Sequence, residues 1–330
     1  MQIALNIIFL IAGFVFLIKG ADFFVVSSSS IARKLKVSPL IIGLTLVAFG
    51  TSLPELAVSF AASISARIQG TTADIAMGNV IGSNIANLTL ILGFSAMMMP
   101  IAVRKTLYKR EFPFLLIITI LISVLAIFFQ SDYRIVWWEA LILLAAFAFY
   151  MYLMLTTEKE AHLEELHEVD VKKAVILLFI GLGGVTLGGY LVTRAAEFIA
   201  IELLVSAFSM TASKATTLVG LSVVALGTSL PELVTSIMAA RKGENEIALG
   251  NVVGSNVFNT LLIVGLAGLV TPLRMNMDVV LDTFIVIGLT VVVIIFAFTK
   301  RNISKLEGWI LAFLYFSYIT FIIIRALGLF

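Results

Sequence analysis

Runs of mostly apolar residues, parted by short polar connections, cover nearly the whole chain: 2–28, 38–66, 73–98, 112–130, 135–155, 173–199, 214–240, 246–270, 279–299 and 306–328. Each has about the 20 residues that an α-helix needs to cross the hydrocarbon core of a bilayer. No connection is long enough to form a soluble domain. The pattern predicts an all-α membrane protein of ten transmembrane helices. The first run carries no Lys or Arg over residues 1–18. The basic segment of a cleaved signal is therefore missing, and the run reads as a helix that stays in the protein.

Composition agrees: 61% of the 330 residues are hydrophobic and 13% are charged, against about 25% charged in an ordinary soluble domain. Such a chain needs lipid as part of its solvent. The net charge of +2 is small and the basic residues are dispersed, which argues against a nucleic-acid partner. The absence of cysteine excludes disulfides, thiolate metal sites and cysteine nucleophiles. The two histidines, His162 and His167, lie in an acidic stretch, not where a buried metal site would form. With the N-terminus outside, 15 of the 22 Lys and Arg residues, among them Arg33, Arg104, Lys173, Arg241 and Lys300, fall in cytoplasmic connections. Five fall outside: Arg67, Arg134, Lys214, Arg274 and Arg325. The positive-inside rule favours this orientation, with both termini outside.

The chain also repeats itself. Gly50-Thr51-Ser52-Leu53-Pro54-Glu55-Leu56 recurs as Gly227-Thr228-Ser229-Leu230-Pro231-Glu232-Leu233. The segment Gly78-Asn79-Val80-Ile81-Gly82-Ser83-Asn84 recurs, with one conservative change, as Gly250-Asn251-Val252-Val253-Gly254-Ser255-Asn256. A fainter echo pairs Lys19 and Asp22 with Arg194 and Glu197. The repeat unit holds five spans, so its second copy enters the membrane inverted. This divides the chain into a first five-helix repeat, 1–155, a short acidic cytoplasmic loop, 156–172, and a second repeat, 173–330. Transporters built from inverted repeats hold their substrate near mid-membrane where the copies meet, which here is where the two Pro-Glu segments face each other.

Those segments suit a cation. Glu55 and Glu232 fall deep within spans with no Lys or Arg nearby in sequence. A carboxylate at that depth is costly, and is by default a functional candidate. Each follows a proline, which has no amide hydrogen and clashes with the carbonyl four residues back. The helix should unwind there, freeing carbonyls such as those of Ala48 and Thr51, and of Ala225 and Thr228. Free carbonyls at membrane depth are tolerated where they line a cavity or bind an ion. Two bidentate carboxylates and two threonine carbonyls supply six oxygens, and calcium takes about six to eight. Two negative charges match one divalent ion, or two to three monovalent ones. Ser83 with Asn87, and Ser255 with Asn259, are four residues apart and share a helix face, offering neutral oxygens as walls. Gly78, Gly82, Gly250 and Gly254 have the small-residue spacing that lets helices approach closely in lipid.

Through these two repeated motifs the sequence resembles the cation/calcium exchanger superfamily, and in it the prokaryotic sodium/calcium exchangers. The resemblance implies ten helices in two inverted halves, four adjacent cation sites, and helices 1 and 6 sliding past the rest to alternate access. It implies that Glu55, Glu232, Thr51 and Thr228 hold calcium. Ala48, Ser52 and Ser83 would form one sodium site, and Ala225, Ser229 and Ser255 its mate, with Asn87 and Asn259 lining the centre. Some relatives carry Asp where this chain has Asn259, and potassium-dependent members resemble that Asp pattern, so Asn259 argues against potassium co-transport. The expected activity is secondary active exchange of calcium for sodium, with these ions and the bilayer as partners and no cofactor. The expected location is a prokaryotic plasma (inner) membrane, multi-pass. The sequence sets no oligomeric state, and a monomer is compatible with it.

Proton/calcium exchange is the alternative within transport, because a buried glutamate can carry a proton. A channel is disfavoured by the inverted repeat. An enzyme is disfavoured because neither Gly-x-Ser-x-Gly nor His-Glu-x-x-His is present. Other features carry plainer expectations. Asn84 and Asn256 read as packing residues, and Lys19–Asp22 and Arg194–Glu197 as salt pairs near helix ends. Trp137 and Trp138 read as an interfacial belt, Met97 to Met99 as packing at a span end, and the acidic loop as a solvated helix extension.

Overall fold

The computed structural model describes residues 2–130, 132–157, 170–206, 219 and 225–326. The first half runs α1 (Gln2–Leu35), α2 (Pro39–Thr51), α3 (Leu53–Gln69), α4 (Asp74–Met98), β1 (Ile101–Ala102), α5 (Leu107–Phe128), β2 (Arg134–Ile135) and α6 (Trp137–Thr157). The second half runs α7 (Val171–Ser206), the short α8 (Ala225–Thr228), α9 (Leu230–Arg241), α10 (Asn245–Val270), β3 (Leu273–Arg274), α11 (Met277–Lys300), β4 (Asn302–Ile303) and α12 (Lys305–Ala326). Among the described residues eight helices are long and apolar enough to cross a membrane, and α2 with α3 makes a ninth span, bent by 48°. The span expected over 214–240 lies partly outside the described residues, with α8 and α9 forming its described end. The acidic residues 158–169, with His162 and His167, also lie outside them, as does Lys214.

The bend between α2 and α3 follows from the sequence. Pro54 sits in the first turn of α3, and Ser52 leaves helical geometry at φ −81°, ψ 6°. Ser229 does the same before Pro231, at φ −88°, ψ 4°. Upstream, Ser38 caps α2 by accepting from the Ile41 amide at 3.3 Å, with Pro39 in the first turn. Single π-helical turns widen α2 at Gly43–Val47, α4 at Asn87–Ile91 and α10 at Phe258–Ile263. Such bulges are rare and concentrate at functional sites.

The motif-bearing helices form the centre. In both α4 and α10, 83% of the most apolar stretch is buried, against 17% in α1 and 28% in α6 and α12. The peripheral helices turn their apolar side chains outward, as a lipid-facing shell must. Trp137, 63% exposed at the start of α6, fits its expected interfacial place. Met98 and Met99 are exposed, contrary to their reading as packing residues. They lie where α4 ends and the chain leaves the bundle.

Sequence did not anticipate two short antiparallel ladders. In one, Ile101 and Ala102 pair with Ile303 and Asn302; in the other, Arg134 and Ile135 pair with Arg274 and Leu273. Each joins one repeat to the other. The Ala73 amide, just before α4, donates to Pro272 O at 3.2 Å beside the second ladder. The chain leaves α4 at the first ladder, whereas α10 ends beside the second. The two copies of the second motif therefore run in opposite directions. The ladders also gather Arg134 and Arg274 at one end of the bundle and Arg104, Lys300 and Arg301 at the other.

Helices α1 and α7 are longer than expected, running on to Leu35 and Ser206. At 1.5 Å per residue each spans about 50 Å, more than a bilayer's hydrocarbon core. They pack antiparallel along a glycine seam, with Gly13 against Gly188 and Gly20 against Gly181 and Gly184. A Cβ on Gly188 would lie 2.5 Å from Leu17 N, and one on Gly20 2.6 Å from Val185 N. Asp22 pairs with Lys242 at 2.6 Å rather than with Lys19, because it points across to the turn after α9. Arg194 and Glu197 do pair, at 3.3 Å.

Backbone contact this close makes the seam intolerant of side chains. Gly188→Leu should lower stability by about 1–3 kcal/mol, seen as a fall in melting temperature of the detergent-purified protein. Gly183→Leu, whose Cβ would meet nothing within 4 Å, should leave it nearly unchanged. Equal melting of the two variants would show that the seam is not tight.

Candidate cation site

The two breaks place the glutamates. Because α3 and α9 restart at Leu53 and Leu230, Glu55 and Glu232 each sit in a first turn, where exposed amides and the helix dipole favour negative charge. Both carboxylates are 1% exposed. Each is met by the serine that precedes the other's proline. Ser52 Oγ donates to Glu232 Oε1 at 3.0 Å, and Ser229 Oγ lies 3.3 Å from Glu55 Oε1. Ser229 Oγ also lies 3.3 Å from Ser83 Oγ. The bends, the repeats and the acids thus converge on one place inside the bundle.

Second-motif residues brace this centre. Asn79 Nδ2 donates to Ser59 Oγ at 3.0 Å and to the Glu55 carbonyl at 3.3 Å. Its counterpart, Asn251 Nδ2, donates to Ser236 Oγ at 2.9 Å and to the Glu232 carbonyl at 3.4 Å. Asn251 Oδ1 in turn lies 2.9 Å from Thr51 Oγ1. An amide oxygen can only accept, so Thr51 is the donor in this contact, the shortest that its hydroxyl makes. That bridge ties the first motif of one repeat to the second motif of the other. Sequence reading assigned Asn79, Asn251, Ser59 and Ser236 no role. Their recurrence at matched positions was the available signal.

The other expected residues fall as follows. Ser83, Ser255, Asn87 and Asn259 are buried. Asn87 Nδ2 donates to Asn256 Oδ1 at 3.1 Å, and Asn259 Nδ2 to Asn84 Oδ1 at 3.2 Å. Thr228 is half-buried and Ala225 opens α8. One expectation fails: the Ala48 carbonyl is not released, since it accepts from the Ser52 amide at 3.0 Å and lies 3.3 Å from Thr51 Oγ1. The reason is register. Pro54 deletes the amide that would serve the Gly50 carbonyl, whereas the Ala48 partner lies upstream of the proline. A second lone pair on Ala48 O remains for an ion.

Acceptor oxygens are left over. Glu55 Oε2, Glu232 Oε2, Ser255 Oγ, Asn87 Oδ1 and Asn259 Oδ1 are buried and have no hydrogen-bond partner among the described residues. Buried polar atoms are normally satisfied, and a set of unsatisfied oxygens with two carboxylates is the donor set that a hard cation takes. Among the described residues no three His, Cys, Asp or Glu side chains gather as a metal cluster, so any further ligands must be neutral oxygens. The surroundings of the two repeats differ. Pro231 is buried, its ring 3.1 Å from where a Cβ on Gly189 of α7 would lie. Pro54 instead borders a cavity of about 490 Å³ lined by Leu53, Leu56, Ala57, Phe60, Thr186 and Leu266.

Two helices interrupted just before a proline, meeting at paired acids in an apolar shell, define a membrane transporter of cations. A profile of the sodium/calcium exchanger protein family matches residues 5–156 and 173–324, and the chain belongs to that family. It is 36% identical to the putative antiporter CaxA of Alkalimonas amylolytica over 95% of this chain and 98% of that protein. It is also 36% identical to the sodium/calcium exchanger MaX1 of Methanosarcina acetivorans, over 96% and 98%. Its fold matches a solved structure of the sodium-calcium exchanger NCX_Mj with a TM-score of 0.81 at 32% identity, covering 96% and 98% of the two chains. The protein is thus a multi-pass membrane member of a family of cation/calcium exchangers, which are transporters and not enzymes.

The bridge from Thr51 through Asn251 makes a stability prediction. Asn251→Leu removes the Asn251 partner of Ser236 Oγ and of the Glu232 carbonyl, and the cross-repeat acceptor of Thr51 Oγ1, which keeps Val47 O at 3.1 Å; it should cost about 1–3 kcal/mol. Thermal unfolding in detergent, with and without calcium, measures this. An unchanged melting temperature would show that the bridge adds nothing to stability.

Proposed function

We propose that the protein is a secondary active antiporter exchanging calcium for sodium by alternating access. The observation that carries this reading is the reciprocal pairing of Ser52 with Glu232 and of Ser229 with Glu55. It puts two buried carboxylates of opposite repeats in one centre. In this reading Glu55, Glu232, Thr51 and Thr228 hold calcium. Ala48, Ser52 and Ser83, and symmetrically Ala225, Ser229 and Ser255, hold sodium, while Asn87 and Asn259 line the middle. Two carboxylates balance either one calcium or two sodium ions, and a third sodium would leave the centre with one net positive charge. The ions therefore compete for the same charge, and neither crosses without displacing the other.

Ten transmembrane helices with both termini outside complete the proposal, in a prokaryotic plasma membrane. The ends of the bundle support the orientation, since Arg104, Lys300 and Arg301 gather at one and the positive-inside rule assigns that end to the cytoplasm. Alternating access is supported by the unequal cover of two near-identical motifs, tight around Pro231 and cavity-lined at Pro54. In this reading α1 and α7, joined through glycines, move as a unit and exchange the two kinds of cover.

The test uses proteoliposomes containing the full chain. An imposed sodium gradient should drive calcium uptake, and Glu55→Gln should reduce it by at least about a hundredfold, as removal of a charged ligand from a buried site costs roughly 3–5 kcal/mol. Uptake that persists in Glu55→Gln would sink the assignment. Sodium-free vesicles with a pH gradient separate the proton-coupled alternative: calcium movement there at the sodium-driven rate would replace sodium by protons as the counter-ion. A potassium gradient should have no effect.

A further inference from the structure

Asn84 and Asn256, read from sequence as packing residues, stand in a chain of oriented amides. Both are buried, at 1% and 0% exposure. Asn84 Oδ1 accepts from Asn259 Nδ2 at 3.2 Å, and Asn84 Nδ2 donates to Thr260 Oγ1 at 2.9 Å. In the other half Asn256 Oδ1 accepts from Asn87 Nδ2 at 3.1 Å. The two amide-to-amide bonds are related by the repeat, since Asn84 and Asn87 correspond to Asn256 and Asn259. They cross between repeats, each joining α4 to α10.

A primary amide has an acceptor end and a donor end. When its NH2 is held on one side, its oxygen faces the other. The oxygens of Asn87 and Asn259 are buried and accept nothing among the described residues. Turned around, each of these asparagines would present NH2, the positive end of its dipole, to a cation.

We propose that Asn84 and Asn256 are positioning residues of the cation site, and that Thr260 is the anchor of the Asn84 relay. They take up the amide hydrogens of Asn259 and Asn87 and so turn two carbonyl oxygens toward the cations. This rests on the exchange reading above. Loss of an outer group that orients a metal ligand typically costs about 10- to 100-fold in affinity. The two relays are unequal. Thr260 lies beside Asn259 in the π turn Phe258–Ile263, and the residue matching it in the first repeat is Leu88. Asn256 Nδ2 has no partner among the described residues. The Asn259 oxygen is therefore held by a two-step relay and the Asn87 oxygen by a single step, a difference between near-identical halves. The pattern suits an amide better than a carboxylate at 259, because Asn84 Oδ1 needs a hydrogen from it.

The test is calcium affinity of the full chain in detergent, read from the calcium-dependent rise in melting temperature. Thr260→Val keeps the shape and removes the acceptor; it should weaken apparent calcium affinity about tenfold. Thr260→Ser keeps the hydroxyl and should stay within about twofold of the parent. With Asn259→Ala in the background, Thr260→Val should add no further loss, because the relay then has nothing to orient. Thr260→Ala replaces the valine variant should that one fail to purify as a monodisperse species. The proposal is overturned if valine or alanine at 260 leaves affinity unchanged, if serine weakens it as much as valine, or if the losses multiply in the Asn259→Ala background. Failure of the exchange reading looks different: the parent protein would then show no calcium-dependent stabilisation and no sodium-driven uptake.

Discussion

Two carboxylates buried with no basic neighbour among the described residues are the constraint from which the rest of the architecture follows. In hydrocarbon their charge is unfavourable by several kcal/mol, and the protein surrounds it with fixed dipoles. Two broken helices aim their first turns at it, and serines, threonine and asparagines from both repeats close around it. The reciprocal bonds from Ser52 to Glu232 and between Ser229 and Glu55 make the arrangement shared property. Neither repeat contains a complete set of partners for its own acid. The site exists because the halves are inverted against each other.

The brace behind the acids has its own logic. Asn79 and Asn251 bind the carbonyl of each glutamate and a serine one turn further on. They fasten the restarted helices α3 and α9 to α4 and α10, whose backbones do not break. The bend beside the buried site is thereby braced. A helix interrupted by proline would otherwise be the softest part of the bundle. Close approach serves the same end: Gly250 and Gly254 let α10 lie against α2, and a Cβ on Gly254 would be 2.6 Å from Leu44 O. The stretch that symmetry would place against Gly78 and Gly82 lies outside the described residues.

Much of this was legible in the sequence, for physical reasons. Transmembrane helices must be apolar over a fixed length, so nine spans could be read directly. A sequence repeated with an intervening odd number of spans forces inversion, and the opposed α4 and α10 show it. An acid placed deep in an apolar span after a proline is rare enough to mark itself. Other features left weaker traces. Two-residue ladders have no periodicity to detect. The apolar runs of α1 and α7 stop short of the helix ends: Arg33 and Lys34 close α1, and Glu202 interrupts the otherwise apolar last turns of α7. The partner of Asp22 is more than 200 residues away, whereas Lys19 was merely close by. Helical phase puts Asn84 and Asn256 on a different face from Ser83 and Ser255, but it does not tell which end of an amide meets a neighbour.

The two ladders have a consequence for the birth of the molecule. Ile101–Ala102 and Arg134–Ile135 are synthesised long before their partners, Asn302–Ile303 and Leu273–Arg274. When the ribosome has finished the first five spans, both strands must wait, each with unclaimed backbone groups at a membrane surface. Water can satisfy them there, as it could not in the hydrocarbon. The clasps therefore sit at the only depth where half a clasp is tolerable, and they close from opposite ends of the bundle as translation of the second half nears completion.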